Sequence, residues 1–479
     1  MTGRCRFAAF LVLAAFIWAV PRSEAAVREE SSPVEANEDR PDPLAEYDLA
    51  DEPPAYSPRD AAAFWREAQG NFRFTYYGRA RDSHNAPDDA GKIHVNAFGF
   101  GLDFRSGYAW GVVGFDASLA MNLGEGVGNS EVLKFDSVEG EDSSSSSFRE
   151  AALKFNFGDE NRRFALRGGF TPIRVGTIGT SGGINPHGYR GVEAKFRSGS
   201  LELGYGWADR FHNDWDDNFR DLTNMWHQNR DGHEDGQRID YIHSLGFRYE
   251  FGPDKSAFVD IGVGEGKDFR KNAQIAASYP VTFDDGGVLT FTGYYIWGKY
   301  EEKLASYIAS DPSNEYHFSA SMQYRKGPWT FFAGYGQTHA PDGREMQFRL
   351  TPWGNSDNRN FIQTWGQLDD FVWDGEKVVK ISAFLDLSDY VLPGLRAGVS
   401  FLYGWDIDSY DDRGSISARE IDLSLEYVPS EGPLKGWSLG VYPAWLRFDD
   451  DRFYGKHSRN DIKVILGYNI ALDFASFFK

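Results

Sequence analysis

Cysteine is all but missing from this chain of 479 residues: Cys5 stands alone, inside an apolar N-terminal stretch that reads as cleavable. That excludes a disulfide framework, a thiolate metal site and a cysteine nucleophile from the expected mature protein. Long apolar runs are missing too. Mean hydropathy is −0.50, and no stretch approaches the roughly 18 apolar residues that a membrane-spanning helix needs. Histidine is sparse, at ten. A hydrolase needs a His held beside Ser, Asn or Asp, yet His243 shares a strand face with Ile239, Tyr241 and Leu245 and reads as an interface residue. His187, His212, His227, His233 and His339 fall in loops or at strand ends. No Gly-rich phosphate loop, EF-hand or zinc spacing occurs. No catalytic residue, metal site or cofactor is therefore expected. The acid-rich Asp214–Asn218 could hold a divalent cation but reads first as a hydrated loop, and the Ser143–Ser147 run reads as solvated loop.

The first thirty residues run MTGRCRFAAFLVLAAFIWAVPRSEAAVREE. Arg4 and Arg6 precede an apolar run from Phe7 to Val20, with small residues at 23–26 for cleavage. Residues 1–25 thus read as a secretory signal; the alternative, an N-terminal anchor, asks for a run nearer 20 residues. From 26 to 60 the material changes to proline and acid, with 11 acids against 3 bases, a net of −8 out of the chain's −21. Such a segment cannot bury enough surface to offset its ordering entropy. It predicts a disordered periplasmic tail or a partner-binding segment, and the acidic balance argues against nucleic acid as a partner.

What the chain does have is alternation. Leu395, Ala397, Val399, Phe401, Tyr403 and Trp405 fall on one side of an extended strand, and Arg396, Gly398, Ser400, Leu402 and Gly404 on the other. From Tyr316 to Arg325 the pattern has no errors, and it recurs at 201–208, 421–427, 437–445 and 462–470. One greasy face ending in aromatics and one small or polar face suit a wall between lipid and water. About 18 such segments fit between Asn71 and Ala471. Tight links at 105–107, 197–199, 251–254 and 392–394 alternate with long ones around 122–146, 209–236, 300–314, 340–374 and 406–417. The fold class predicted for 61–479 is all-β, a transmembrane antiparallel β-barrel with short periplasmic turns and long extracellular loops. A soluble sandwich or propeller is the alternative, but aromatics at strand ends and the lack of a blade-length repeat stand against it. Closure satisfies every backbone amide in lipid, and at 16–18 strands an aqueous lumen remains.

Charge cannot face lipid cheaply, so parity turns Arg167, Glu193, Lys195, Arg197, Arg248, Arg325, Lys380 and Arg396 toward that lumen. Arg174 and Arg190, within and just beyond a Gly- and Thr-rich link at 171–189, join them as candidate pore-lining residues. This link could fold inward and constrict the barrel, or be an ordinary exposed loop. Trp215, Trp226, Trp353, Trp365 and Trp373 in long loops are candidates for stacking on solute. Trp297, Trp405, Trp437 and Trp445 suit an aromatic girdle at the membrane surface.

Several segments resemble a known family. Arg105-Ser106-Gly107-Tyr108 with Gly111–Asp116, His187–Glu193 and Gly432–Leu439 are similar to the recurring signatures of OprD-type outer-membrane porins, over about 64–471. Ile239–Gly246, Phe348–Pro352, and Asp374–Val378 running on to Tyr403–Asp406 resemble the chitoporin branch. The resemblance implies an 18-stranded barrel, a constricting loop near 172–189, a basic ladder in the lumen and passive diffusion of small solutes, chitooligosaccharides first. The family's other habit, uptake of basic amino acids, small peptides or carboxylates, is the alternative; an outer-membrane hydrolase or a structural barrel is more remote. Expected partners are outer-membrane lipid and lipopolysaccharide, small solutes and the barrel assembly machinery, with the porin a monomer or a trimer. Two departures stand out: the long acidic extension before Asp60, and Lys479 after Phe477-Phe478, where an aromatic end is usual.

Overall fold

The computed structural model describes residues 60–84, 92–127, 141–159, 161–179, 187–212, 216–223, 237–307, 313–346, 350, 362–408, 414–450 and 457–472. The expected signal, the acidic tail up to residue 59, and Trp215, Trp226 and Trp353 lie outside the described residues.

The strands are β1 (Gln69–Ser83), β2 (Ile93–Arg105), β3 (Val113–Val127), β4 (Glu141–Gly158), β5 (Arg162–Thr171), β6 (Gly188–Ser198), β7 (Leu201–His212), β8 (Arg220–Asp221), β9 (Ile242–Phe251) and β10 (Ala257–Gly266). They continue as β11 (Arg270–Thr282), β12 (Val288–Tyr300), β13 (Asn314–Lys326), β14 (Trp329–His339), β15 (Lys377–Asp386), β16 (Leu395–Asp408), β17 (Ser415–Tyr427), β18 (Trp437–Phe448) and β19 (Arg459–Leu472). All pair antiparallel with their neighbours, and β19 returns to β1 from Gly70↔Leu472 to Ser83↔Arg459, which closes the sheet. The two-residue β8 pairs only with the end of β7, while β7 pairs directly with β9. The wall is therefore a closed barrel of 18 strands.

Burial is inverted relative to a protein folded in water. Leu119, Met121 and Leu123 on β3, Val399, Phe401 and Tyr403 on β16, and Ile421, Leu423 and Leu425 on β17 are all exposed. Asp116, Lys154, Arg167, Glu193 and Lys463 are buried. A soluble monomer rarely exposes a contiguous apolar patch beyond a few hundred Å², whereas this band runs round the wall. The apolar half of each alternating strand faces outward to acyl chains, and the polar half faces inward. Trp297, Trp405, Trp437 and Trp445 all sit toward strand ends, Trp437 stacked on Tyr468 at 4.6 Å.

One expectation is corrected. The Ser143–Ser147 run is strand, not solvated loop: it pairs with Gly124 to Ala120 of β3, and Asn122 donates to Ser145 Oγ at 3.2 Å inside the wall. Serine on both faces gives no hydrophobic alternation, so the register is carried by the neighbouring strand.

Before β1, a four-residue helix, Ala63–Arg66, locks onto the β2–β3 turn. Asp60 accepts a bond from Ala63 N–H at 3.0 Å, and Gly107 N–H donates to Phe64 O at 3.0 Å. A side chain at Gly107 would strike Ala63 O, so glycine is needed for this close approach. The chain thus reaches the barrel beside a short turn, on the same side as the end of β19.

Candidate pore constriction

Buried charge requires a partner, and the inner wall supplies it strand by strand. On β1–β2, Arg73 Nε lies 3.1 Å from Asp103. Arg105 reaches Asp116 at 2.8 Å and Glu150 at 3.0 Å, and Lys154 reaches Asp116 at 2.9 Å. Arg167 bridges Glu150 at 3.5 Å and Glu193 at 2.9 Å. Lys195 lies 3.5 Å from Glu193 and 3.9 Å from Glu202, which Arg197 meets at 2.7 Å. From β2 to β7 the signs alternate in one connected chain of ion pairs. These cations face inward, yet each is matched by a carboxylate, so this stretch is a compensated lattice and not a run of free positive charge.

The lattice also holds a segment inside the barrel. After β5, residues 172–179 turn inward and close on themselves through reciprocal Val175 and Ile178 backbone bonds of 2.9 Å. Arg167 donates to Pro172 O at 3.0 Å, and Glu193 accepts Arg174 N–H at 3.0 Å. Farther along, Thr177 N–H donates to Ser244 Oγ at 2.8 Å, Gln274 Nε2 to Gly176 O at 2.9 Å, and Tyr189 OH to Gly179 O at 3.1 Å. The segment lies on a track of inward glycines. A methyl at Gly206 would meet Ile173 at 2.8 Å, at Gly204 Val175 at 2.9 Å, and at Gly262 the backbone of Gly176 at 2.7 Å. Ile173 and Ile178 then join Tyr189, Phe211, Ile239, Ile242 and Leu350 in an apolar core inside the wall.

A second inward segment, at 362–373, lies within the stretch 340–374 that the sequence predicts as a long outer loop. Gln363 accepts from Ser321 Oγ at 3.0 Å, Leu368 N–H donates to Glu420 at 2.8 Å, and Arg459 donates to Leu368 O at 3.0 Å. Its apolar residues fill two further inner cores, Ile362 and Val372 in one, Leu368 and Phe371 in the other. Glu420 and Asp422 lie together on the inner face of β17, and Asp369 contributes to the same acidic environment. The first segment lies against β6–β11, while the second reaches β13, β17 and β19 through its hydrogen bonds and β10–β12 through its apolar residues, so both cover the inner face of β10 and β11.

The remaining candidates fall as follows. Arg248 stacks on Phe258 at 4.0 Å and meets Glu250 and Asp260 at 3.1 and 3.5 Å. Lys380 donates to Trp365 O at 2.7 Å and sits 5.6 Å from the Phe332 ring centroid. Arg396 lies 3.8 Å from Asp386, about half exposed, and Arg325 is exposed on the inward parity of β13. Trp365 is half-buried against the second inner core, while Trp373 Nε1 donates to Asp369 at 3.2 Å. Arg190 is a correction. It shares the outward parity of the exposed Val192, is paired with Asp209, and is not a lumenal residue. Its three-residue offset from the inward Glu193 already carried that signal. In the acid-rich segment, Asp216 pairs with Arg220 at 2.9 Å within the loop, and Asp217 accepts Ser146 N–H of β4 at 2.8 Å, so both carboxylates serve the local structure.

Comparison with known proteins agrees with this architecture. Residues 62–472 match the model for the outer membrane porin, OprD family. The chain is 26% identical over 395 residues to the chitoporin of Escherichia coli K12, covering 75% of this chain and 81% of that one. It is 27% identical over 179 residues to Porin D of Pseudomonas aeruginosa, covering 34% and 39%. Among solved structures, Acinetobacter baumannii OccAB1 superposes with a TM-score of 0.73 at 17% identity, over 87% of this chain and 99% of that one. The match spans the whole described wall from β1 to β19, and the chain belongs to the OprD family of outer membrane porins.

Proposed function

We propose that this outer-membrane porin passes neutral or amphoteric small solutes, chitooligosaccharides first, by passive diffusion past its two inward segments. The reading rests on two features of the lumen, the pairing of charge along the β2–β7 arc and an aromatic on the second inward segment. Around the β2–β7 arc the cations are matched by carboxylates, so the passage offers hydrogen-bonding groups without a strong net field, and Trp365 gives a ring on which an apolar sugar face can stack. The similarity to a chitoporin over most of the chain supports the same choice. Planar-bilayer recording with chitohexaose tests it. The expected result is current blockade, with Trp365→Ala shortening residence up to about tenfold, the scale of one aromatic contact. No blockade at millimolar sugar removes the assignment.

A second reading rests on the buried carboxyl pair Glu420 and Asp422 with Asp369 nearby, a group whose shared negative charge would favour cationic solutes such as basic amino acids. In that case arginine competes in liposome swelling and sugars do not. Insertion by the barrel assembly machinery, and a monomeric or trimeric state in the membrane, belong to the same proposal. Light scattering of the purified porin separates the two states.

A further inference from the structure

The outward face near the long-loop rim carries three pairs of like-charged residues directly opposite one another on adjacent strands: Arg190↔Arg210, Lys271↔Lys299 and Arg419↔Arg447. Cations placed in register on one face repel and destabilise the pair unless an anion intervenes. Two of the three have one within the chain. Arg190 is paired with Asp209 and Arg210 with Asp221 at 3.2 Å, while Glu301 lies 3.4 Å from Lys271 and 4.0 Å from Lys299.

The third differs. Arg419 is exposed and makes no ion pair among the described residues, its inward neighbours Ala418 and Glu420 being fully buried on the opposite face. Arg447 donates only to neutral acceptors, Leu446 O at 2.7 Å, Arg459 O at 2.8 Å and Asn460 Oδ1 at 2.6 Å. These bonds fix its guanidinium, and no carboxylate pairs with it among the described residues. The frame around the pair is amphipathic. Tyr403 lies opposite Arg419 and Trp445 two residues before Arg447, both about 40% exposed, and Phe401 and Ile421 continue the lipid-facing rows below. Rings at this level lie at the boundary between headgroups and acyl chains.

We propose that Arg419 and Arg447 clamp the phosphate of an anionic outer-leaflet lipid, whose acyl chains lie along Phe401, Ile421 and Trp445. Arginine suits this role because its planar fork bonds phosphate oxygens bidentately, and position selects the occupant. A solute in the lumen cannot reach this face, and a headgroup sits at its height.

Native mass spectrometry of the full-length porin in detergent tests the clamp, with bisphosphorylated lipid A, phosphatidylcholine and inorganic phosphate as probes. The expected result is lipid A retention that falls about tenfold in Arg419→Gln/Arg447→Gln, on the scale of one to two basic contacts with a membrane surface. Arg190→Gln, whose cation is already matched, leaves retention unchanged. Arg419→Glu gives a second route should the double variant not fold, because the new carboxylate faces Arg447 and supplies the missing anion. It keeps heat-modifiable gel mobility and loses lipid A. Equal retention in the wild type and either variant overturns the proposal. So does retention of phosphatidylcholine equal to that of lipid A, or release of lipid A by millimolar inorganic phosphate.

Discussion

Glu193 shows how much one inward carboxylate does in this wall. It lies 2.9 Å from Arg167 and 3.5 Å from Lys195, and accepts Arg174 N–H from the first inward segment, all while 1% exposed. Removing one partner of a buried pair costs more than the pair itself is worth, because the other charge stays behind. Glu193→Gln is therefore expected to lower barrel stability by about 3 kcal/mol, read as an earlier urea midpoint, and to shift reversal potential toward anions. An unchanged selectivity would mean that Arg167 and Lys195 do not feel the permeating ion. At this scale the sequence told which residues turn inward wherever alternation was clean, as at Glu193, Lys195 and Arg197. It could not tell that they pair, because parity gives a face and says nothing of the partner 26 positions away that meets Arg167. Arg190 failed for a different reason: its place just beyond a candidate constricting link outweighed its parity, and the β6–β7 register shifts at Arg190/Gly191.

The strands were legible because a wall between lipid and water imposes a period of two on every one of them, and the short turns carry glycine or proline. Loops folded into a lumen obey no such period. Segment 362–373 buries Ile362, Leu368, Phe371 and Val372 at irregular spacing, against residues as distant as Glu420 and Arg459. Segment 172–179 left a fainter trace on the strands beneath it, glycines at 204, 206, 246 and 262 on the inward parity where polar side chains would otherwise stand. That track makes a prediction. At Gly262 a methyl would come 2.7 Å from Gly176, closer than packed atoms allow. Gly262→Ala should push the segment toward the pore axis, lower single-channel conductance and cost about 1–3 kcal/mol from overpacking. Gly293, where a methyl meets nothing within 4 Å, is the control, and Gly293→Ala should conduct like the wild type. Equal conductance in both would show that the glycines do not seat the constriction.

For the molecule as a whole, the chain's −21 overstates the barrel's share, because eight of those charges belong to residues 26–60 and not to the barrel wall. Inside, opposite signs meet around the circumference, from Arg73–Asp103 through Arg197–Glu202 to Arg79–Asp461 at the seam where β1 and β19 close. Paired charges a few ångströms apart cancel at distances beyond the screening length of ordinary salt, about 10 Å at 0.1 M. A permeating ion near the axis then feels a weak net field, even though charged residues line the wall. The porin should accordingly show a reversal potential close to zero in a tenfold KCl gradient, far from the about 59 mV of a perfectly selective univalent path. Conductance should also rise almost in proportion to salt, because the paired charges of the β1–β7 arc concentrate few counterions when salt is low. A strongly anion-selective pore with conductance that saturates at low salt would mean that the exposed cations, Arg325 and Arg396 foremost, outweigh the lattice. The passage would then have to be redrawn around them.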